Sequence, residues 1–87
     1  MSLEKLRKLS IPEEIIKALT EFIENLKRNF DDVEVYLFGS YAKGTWLKDS
    51  DVDLIVVSRS FNGLHVGERA RKVRPLASKN IALELLL

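Results

Sequence analysis

The most regular pattern of apolar and polar positions lies between Ser10 and Phe30. Ile15, Leu19, Phe22 and Leu26 recur at intervals of three and four, with Ile16 and Ile23 beside them and charged residues filling much of the rest. That period predicts an amphipathic helix over about residues 11–29. Ser10 and Glu13 have the spacing of a capping box, and Pro12 falls in the first turn, where its missing N–H is tolerated. Asp31-Asp32 reads as a turn. Residues 33–38, Val-Glu-Val-Tyr-Leu-Phe, are β-branched and aromatic and predict a strand. The strand breaks at Gly39-Ser40. Tyr41-Ala42-Lys43 reads as one helical turn stopped by Gly44. Thr45 to Ser50 is a polar loop carrying Trp46.

Residues 51–57 predict a second strand. From Leu54 onward it is continuously apolar, as expected of a central strand buried on both faces. A loop over 58–63 leads to a helix over about 65–78, with Val66, Ala70, Val73 and Ala77 as its inner face. Pro75 should kink that helix or end it early. Residues 81–87 predict a third strand, interrupted by Glu84. Near the start, Leu3, Leu6 and Leu9 with basic residues between them suggest one further helical turn. The order helix, strand, strand, helix, strand predicts an α/β fold of the α+β kind: a small mixed sheet of three or slightly more strands with helices packed on it.

The chain has 87 residues, which points to a single domain over 1–87. A domain of this size buries only about 60–65% of the surface its unfolded chain exposes, so support from a partner or a homodimer would suit it. There are no cysteines, which excludes disulfide scaffolds and thiolate metal sites. No apolar run approaches the roughly 20 residues of a membrane span, and no signal peptide opens the chain. The expectation is a cytoplasmic protein without membrane contact.

Lys and Arg total 14 and Asp and Glu 13, so there is no overall polyanion-binding signature, and nucleic acid stays open as a partner. The charges are unevenly spread. Arg59, Arg69, Arg71, Lys72, Arg74 and Lys79 face a single acid, Glu68, in that stretch. A solvated helix face accounts for most of them; a phosphate-facing patch is the functional alternative.

The candidate chemistry lies at the two strand ends. Asp51 and Asp53 are two apart, so in a strand they share a face, about 6–7 Å apart along it. Two such acids can converge on a hard cation; magnesium is commonly held by one or two carboxylates plus substrate phosphates. Alone, the Asp-x-Asp spacing is more often solvated surface. Gly39-Ser40 adds to it. A strand ending in glycine and entering a helical turn exposes backbone N–H groups to an anion, and the Ser40 hydroxyl can donate to a phosphate oxygen or cap the turn. An ordinary strand-to-helix turn has the same look. Together, on successive strands of a hairpin-like unit, a phosphate cradle and an acid pair are what nucleotidyl transfer needs.

The stretch Phe38-Gly39-Ser40-Tyr41-Ala42-Lys43-Gly44, followed by Ser50-Asp51-Val52-Asp53-Leu54, resembles the signature of the DNA polymerase β-like nucleotidyltransferases. The small size resembles their minimal prokaryotic group, the MNT proteins. That resemblance implies that Gly39 and Ser40 hold the β- and γ-phosphates of a nucleoside triphosphate such as ATP, with Lys43 beside them. It implies that Asp51 and Asp53 bind catalytic Mg2+. The family carries a third carboxylate on a later strand, as metal ligand and base, and Glu84 is the acid in the last predicted strand. Two positions depart from the pattern. Aspartate is commoner than glutamate at the third carboxylate, and arginine is usual where Lys43 stands, so a bidentate fork is lost. The resemblance also implies a HEPN-type partner, with the chain as the antitoxin that adenylylates it in a toxin–antitoxin pair.

Other residues have blander readings. Tyr41 and Trp46 could stack on a base, though Tyr41 can pack under the turn and Trp46 can cover the core edge. His65 reads as surface, and Asp49 as turn. Arg69, Lys72 and Arg74 could reach a triphosphate. The rival function is a catalytically weak binding module that neutralises its partner by contact, with the apolar Leu85-Leu86-Leu87 stretch as a candidate interface.

Overall fold

The computed structural model describes residues 10–47, 49–79 and 81–87. The helical turn expected around Leu3, Leu6 and Leu9 lies outside them. The described elements are helix α1 (Glu13–Asn29), strand β1 (Glu34–Phe38), helix α2 (Gly39–Lys43), strand β2 (Val52–Val57), a 3-10 turn (Arg59–Phe61), helix α3 (Val66–Val73), a second 3-10 turn (Arg74–Leu76) and strand β3 (Leu83–Leu86). They form an α+β fold on a three-stranded mixed sheet of order β1-β2-β3. β1 and β2 are antiparallel, and β2 and β3 are parallel. A parallel pair needs a long crossover, and the segment containing α3 supplies it. No described helix is long and apolar enough to cross a membrane.

Helix α1 begins later than expected and without its capping box. Ser10 is exposed with φ +58°, and the cap residue is Pro12, which makes no side-chain cap bond. Pro12 is the reason. It biases Ile11 toward extended backbone, and Ile11 is buried in the core. The helix can therefore start only after Pro12, whose carbonyl accepts from the N–H groups of Ile15 and Ile16, both at 3.0 Å. Glu13 and Glu14 in the first turn and Lys27 and Arg28 in the last complement the helix dipole. Ile16, Leu19, Phe22 and Leu26 form the buried face, as the periodicity predicts.

β2 is the central strand, as its apolar run requires. Val52, Leu54 and Val56 point into the core with Val35, Tyr41, Phe61 and Val73. Phe30 and Phe61 meet edge to face, ring centroids 5.3 Å apart. Asn25 of α1 donates from Nδ2 to the Leu76 carbonyl at 3.1 Å, tying the crossover to the first helix.

Helix α3 departs from its expected inner face. Burial rises along one side of it. Val66 is 70% exposed, Ala70 is half-buried and Val73 is fully buried. The valines do share a face, being seven residues apart, but only the C-terminal end of the helix meets the core. Pro75 ends the α-helical hydrogen bonding as expected, and the chain continues as a 3-10 turn. Arg69 is not simply solvated. Its Nε donates to the Leu64 carbonyl at 3.0 Å and its Nη1 to the Leu87 main-chain oxygen at 2.9 Å, with the guanidinium 6.0 Å from the Phe61 ring centroid.

Candidate functional site

The site is built where β1 ends and β2 begins. Phe38, the last residue of β1, is the register partner of Asp53. Gly39 then turns the chain into α2 with φ +72°. Glycine alone takes that conformation without steric cost. It is needed for a second reason: a Cβ at Gly39 would run into the Asp53 carboxylate, whose Cγ would lie 3.0 Å from it. The backbone of the turn thus lies directly against the acid. At the other end of α2, Gly44 has φ +75° and its N–H bonds to the Ser40 carbonyl. That is the left-handed stop expected at this glycine. Ser40 is half-buried in the first turn of α2, and Lys43 is exposed in the last turn.

β3 completes the site. In the parallel register Asp53 pairs with Glu84, so both carboxylates stand on one face of the sheet. Hydrogen bonding to the Asp53 side chain is the main reason the Glu84 carboxyl is held above its ordinary value. The Asp53 charge, partial desolvation and the Asp51 charge add to it in that order. Such a shift is the mark of like charges kept close, where one proton relieves the repulsion. Asp51 is exposed and stands one residue before β2. Its charge adds to the shift on Glu84, as a smaller cause than Asp53.

The fold thus brings Gly39, Asp53 and Glu84 together, with Ser40 on the same turn and Asp51 at the strand entrance. Among the described residues no three Asp, Glu, His or Cys side chains close a metal-holding group. Two carboxylates with a third nearby remain a fitting donor set for Mg2+, which takes its other oxygens from substrate and water. A cation held by Asp53 and Glu84 would relieve by charge the repulsion that raises Glu84.

The two aromatic residues that flank the turn, Tyr41 and Trp46, are engaged with each other. Tyr41 is buried, and Trp46 stacks on it with centroids 5.3 Å apart and planes 6° from parallel. Tyr41 also lines a cavity of about 690 Å³, with Lys17 and Glu21 of α1 and with Asp49, Ser50 and Val52 beside Asp51. His65 is exposed at the start of α3, as expected of a surface residue.

Asp32 does more than the turn its sequence context predicts. Its carboxylate accepts from the Ser58 hydroxyl at 2.7 Å and from the Arg59 N–H at 2.7 Å. These bonds, the backbone one first, hold its carboxyl below the usual range. They join the start of β1 to the end of β2 and so hold the hairpin in register from the end opposite the acids. An acid followed by a serine on the paired strand was the available signal, and only the pairing shows its use.

A mixed sheet with helices on one face and paired acids across its central strand is a nucleotidyltransferase-like core. The comparisons with known proteins agree with that class. The sequence profile of the family described as nucleotidyltransferase domain matches residues 19–84, and the chain belongs to that family. Two proteins of Methanocaldococcus jannaschii, each named "Putative protein adenylyltransferase", are similar to it. One is 46% identical over 44 residues, covering 48% of this chain and 30% of the relative. The other is 40% identical over 43 residues, covering 47% of this chain and 43% of the relative. The matches thus span less than half the length of these relatives. No solved structure matches the chain significantly.

Proposed function

We propose that this chain is a Mg2+-dependent nucleotidyltransferase that transfers AMP from ATP to a hydroxyl of a protein acceptor. The observation that carries the reading is the register pair Asp53–Glu84, set directly against the Gly39 turn. Mg2+ bound by Asp53 and Glu84, with Asp51, would neutralise triphosphate charge and polarise the α-phosphate. Gly39 and Ser40 would cradle the β- and γ-phosphates through N–H groups and the serine hydroxyl, and Lys43 would add a positive charge. The acceptor oxygen would form its bond to the α-phosphorus as the bond to the β-phosphate oxygen breaks, with pyrophosphate leaving. Glu84 would take the acceptor's proton.

The resemblance to the minimal nucleotidyltransferases and the names of the two relatives support a protein acceptor. We infer further that the acceptor is a HEPN-type protein in the cytoplasm, silenced by adenylylation, with this chain as the antitoxin. The test is incubation with ATP labelled at the α-phosphate, Mg2+ and such a partner. The intact chain should transfer label to the partner. Asp51→Ala should lower transfer by at least about 100-fold, the scale set by losing one transition-state charge partner, with unchanged circular dichroism. Undiminished labelling by that variant sinks the metal assignment. Tight association with the partner and no Mg2+-dependent ATP binding favours the rival reading, a module acting by contact.

A further inference from the structure

We propose that the open face of the sheet is the docking surface for a polypeptide acceptor whose contacting side chains are apolar and basic. The proposal rests on the nucleotidyl-transfer reading and names what that site acts on.

Side chains alternate between the two faces of a strand. Val35, Val52, Leu54 and Val56 go to the core with the helices. The opposite set is Glu34, Tyr36 and Phe38 on β1, Asp53, Ile55 and Val57 on β2, and Glu84 and Leu86 on β3. Tyr36 pairs with Ile55 and Ile55 with Leu86, so one apolar row crosses all three strands. The next row is Phe38, Asp53 and Glu84. Successive rows on one face are about 7 Å apart, so the apolar row runs alongside the reactive carboxylates.

This face is left in water. Tyr36 is 51% exposed, Val57 49% and Leu86 59%. An apolar strip of this kind, continuous with a reactive site, marks a surface that binds something. The charge on the face decides what. The charged side chains on its strands are acids, Glu34, Asp53 and Glu84, with Arg59 beside Glu34 and Val57 at the end away from Asp53 and Glu84. The Tyr36 hydroxyl holds Glu34 in place by donating to its Oε2 at 2.5 Å. None of the outward strand positions is Lys or Arg. A nucleic acid needs cations against its phosphates, and the exposed Arg71, Lys72 and Arg74 stand on the crossover, whose Val73 packs on the other side of the sheet. A polypeptide with apolar side chains for the row and Lys or Arg for the acids is complementary in both respects. A hydroxyl one row along from its apolar contacts would lie at Asp53 and Glu84.

The probes are a fluorescein-labelled dodecapeptide alternating Leu and Lys around a central Ser, the same peptide with Glu for Lys, and a labelled single-stranded oligonucleotide. Anisotropy is read on the intact chain and on Tyr36→Ala and Leu86→Lys, with Mg-ATP calorimetry on each. The lysine peptide should bind, and either variant should weaken it by about tenfold or more, as loss of a central anchor does. The glutamate peptide and the oligonucleotide should bind the intact chain at least about tenfold more weakly, and Mg-ATP binding should not change in the variants. Equal binding by the variants, or preference for the oligonucleotide, overturns the proposal. So does a dimer in sedimentation equilibrium that Leu86→Lys dissociates, which assigns the face to a second copy. Mg-ATP binding without peptide binding overturns the docking face alone. Peptide binding without Mg-ATP binding keeps the face and overturns the nucleotidyl-transfer reading.

Discussion

Gly39 and Gly44 offer a controlled experiment on the site. Both take left-handed backbone, with φ +72° and +75°. Alanine at either position pays the cost of placing an L-residue there, about 1–2 kcal/mol. The surroundings differ. A Cβ at Gly44 meets nothing within 4 Å, while at Gly39 it is driven into the Asp53 carboxylate, with Cγ at 3.0 Å and Asp53 Cβ at 3.3 Å. The carboxylate can rotate away, but the Asp53 Cβ cannot, because its backbone is paired on both sides, to Phe38 and to Glu84. Overpacking of this kind adds about 1–3 kcal/mol. Gly44→Ala should therefore cost about 1–2 kcal/mol and Gly39→Ala about 2–5 kcal/mol. Equilibrium urea unfolding measures both. Calorimetry then reads Mg-ATP, where Gly39→Ala should bind at least about tenfold more weakly because the acid is displaced, and Gly44→Ala close to normally. Equal destabilisation by the two alanines, or normal Mg-ATP binding by Gly39→Ala, would refute the claim that the turn lies against the acid.

Three further outcomes follow from the packing and the charges. Asp32 has a folded-state pKa below its ordinary value, because the Arg59 N–H and the Ser58 hydroxyl donate to its charged form. Its contribution to stability is therefore present above the ordinary aspartate range and lost as pH falls through the depressed value; Asp32→Ala should lower the melting temperature at neutral pH, with the gap to the parent closing in strong acid. Glu84 has the opposite sign, since its raised pKa means that the metal-free fold loses stability as pH climbs from the ordinary glutamate range through the raised value. Glu84→Gln should melt higher than the parent at neutral pH without metal and should lose the stabilisation that added Mg2+ gives the parent. On α3, Val73→Ala should cost about 1.5–3 kcal/mol in urea unfolding, while Val66→Ser should stay within about 0.5 kcal/mol, because only the first of these valines is buried.

The sequence by itself determined the element order, the central place of β2 and the family resemblance carried by the Gly39-Ser40 turn and the Asp51–Asp53 stretch. These are local or nearly local properties. The Ile15 to Leu26 period, the apolar run from Leu54 and the glycines at both ends of α2 each express a backbone or burial preference readable within one segment. Boundaries were less legible where neighbours compete. Ser10 and Glu13 had capping-box spacing, but the burial of Ile11 and the constraint from Pro12 moved the helix start. Val66 and Val73 looked equivalent along α3, and only the depth to which the helix enters the core separates them.

The site shows the same division. Gly39, Ser40, Asp51 and Asp53 stood out in the sequence because they lie within fifteen residues of one another. The tertiary structure decided that Glu84 stands across from Asp53 on the neighbouring strand. That pairing depends on a parallel register between strands some thirty residues apart, set by the crossover rather than by either strand. It also decided that one face of the sheet stays open, with Tyr36, Ile55 and Leu86 in a row beside the acids. Alternation along a strand says that two faces exist; which one the helices cover is fixed only when the core forms.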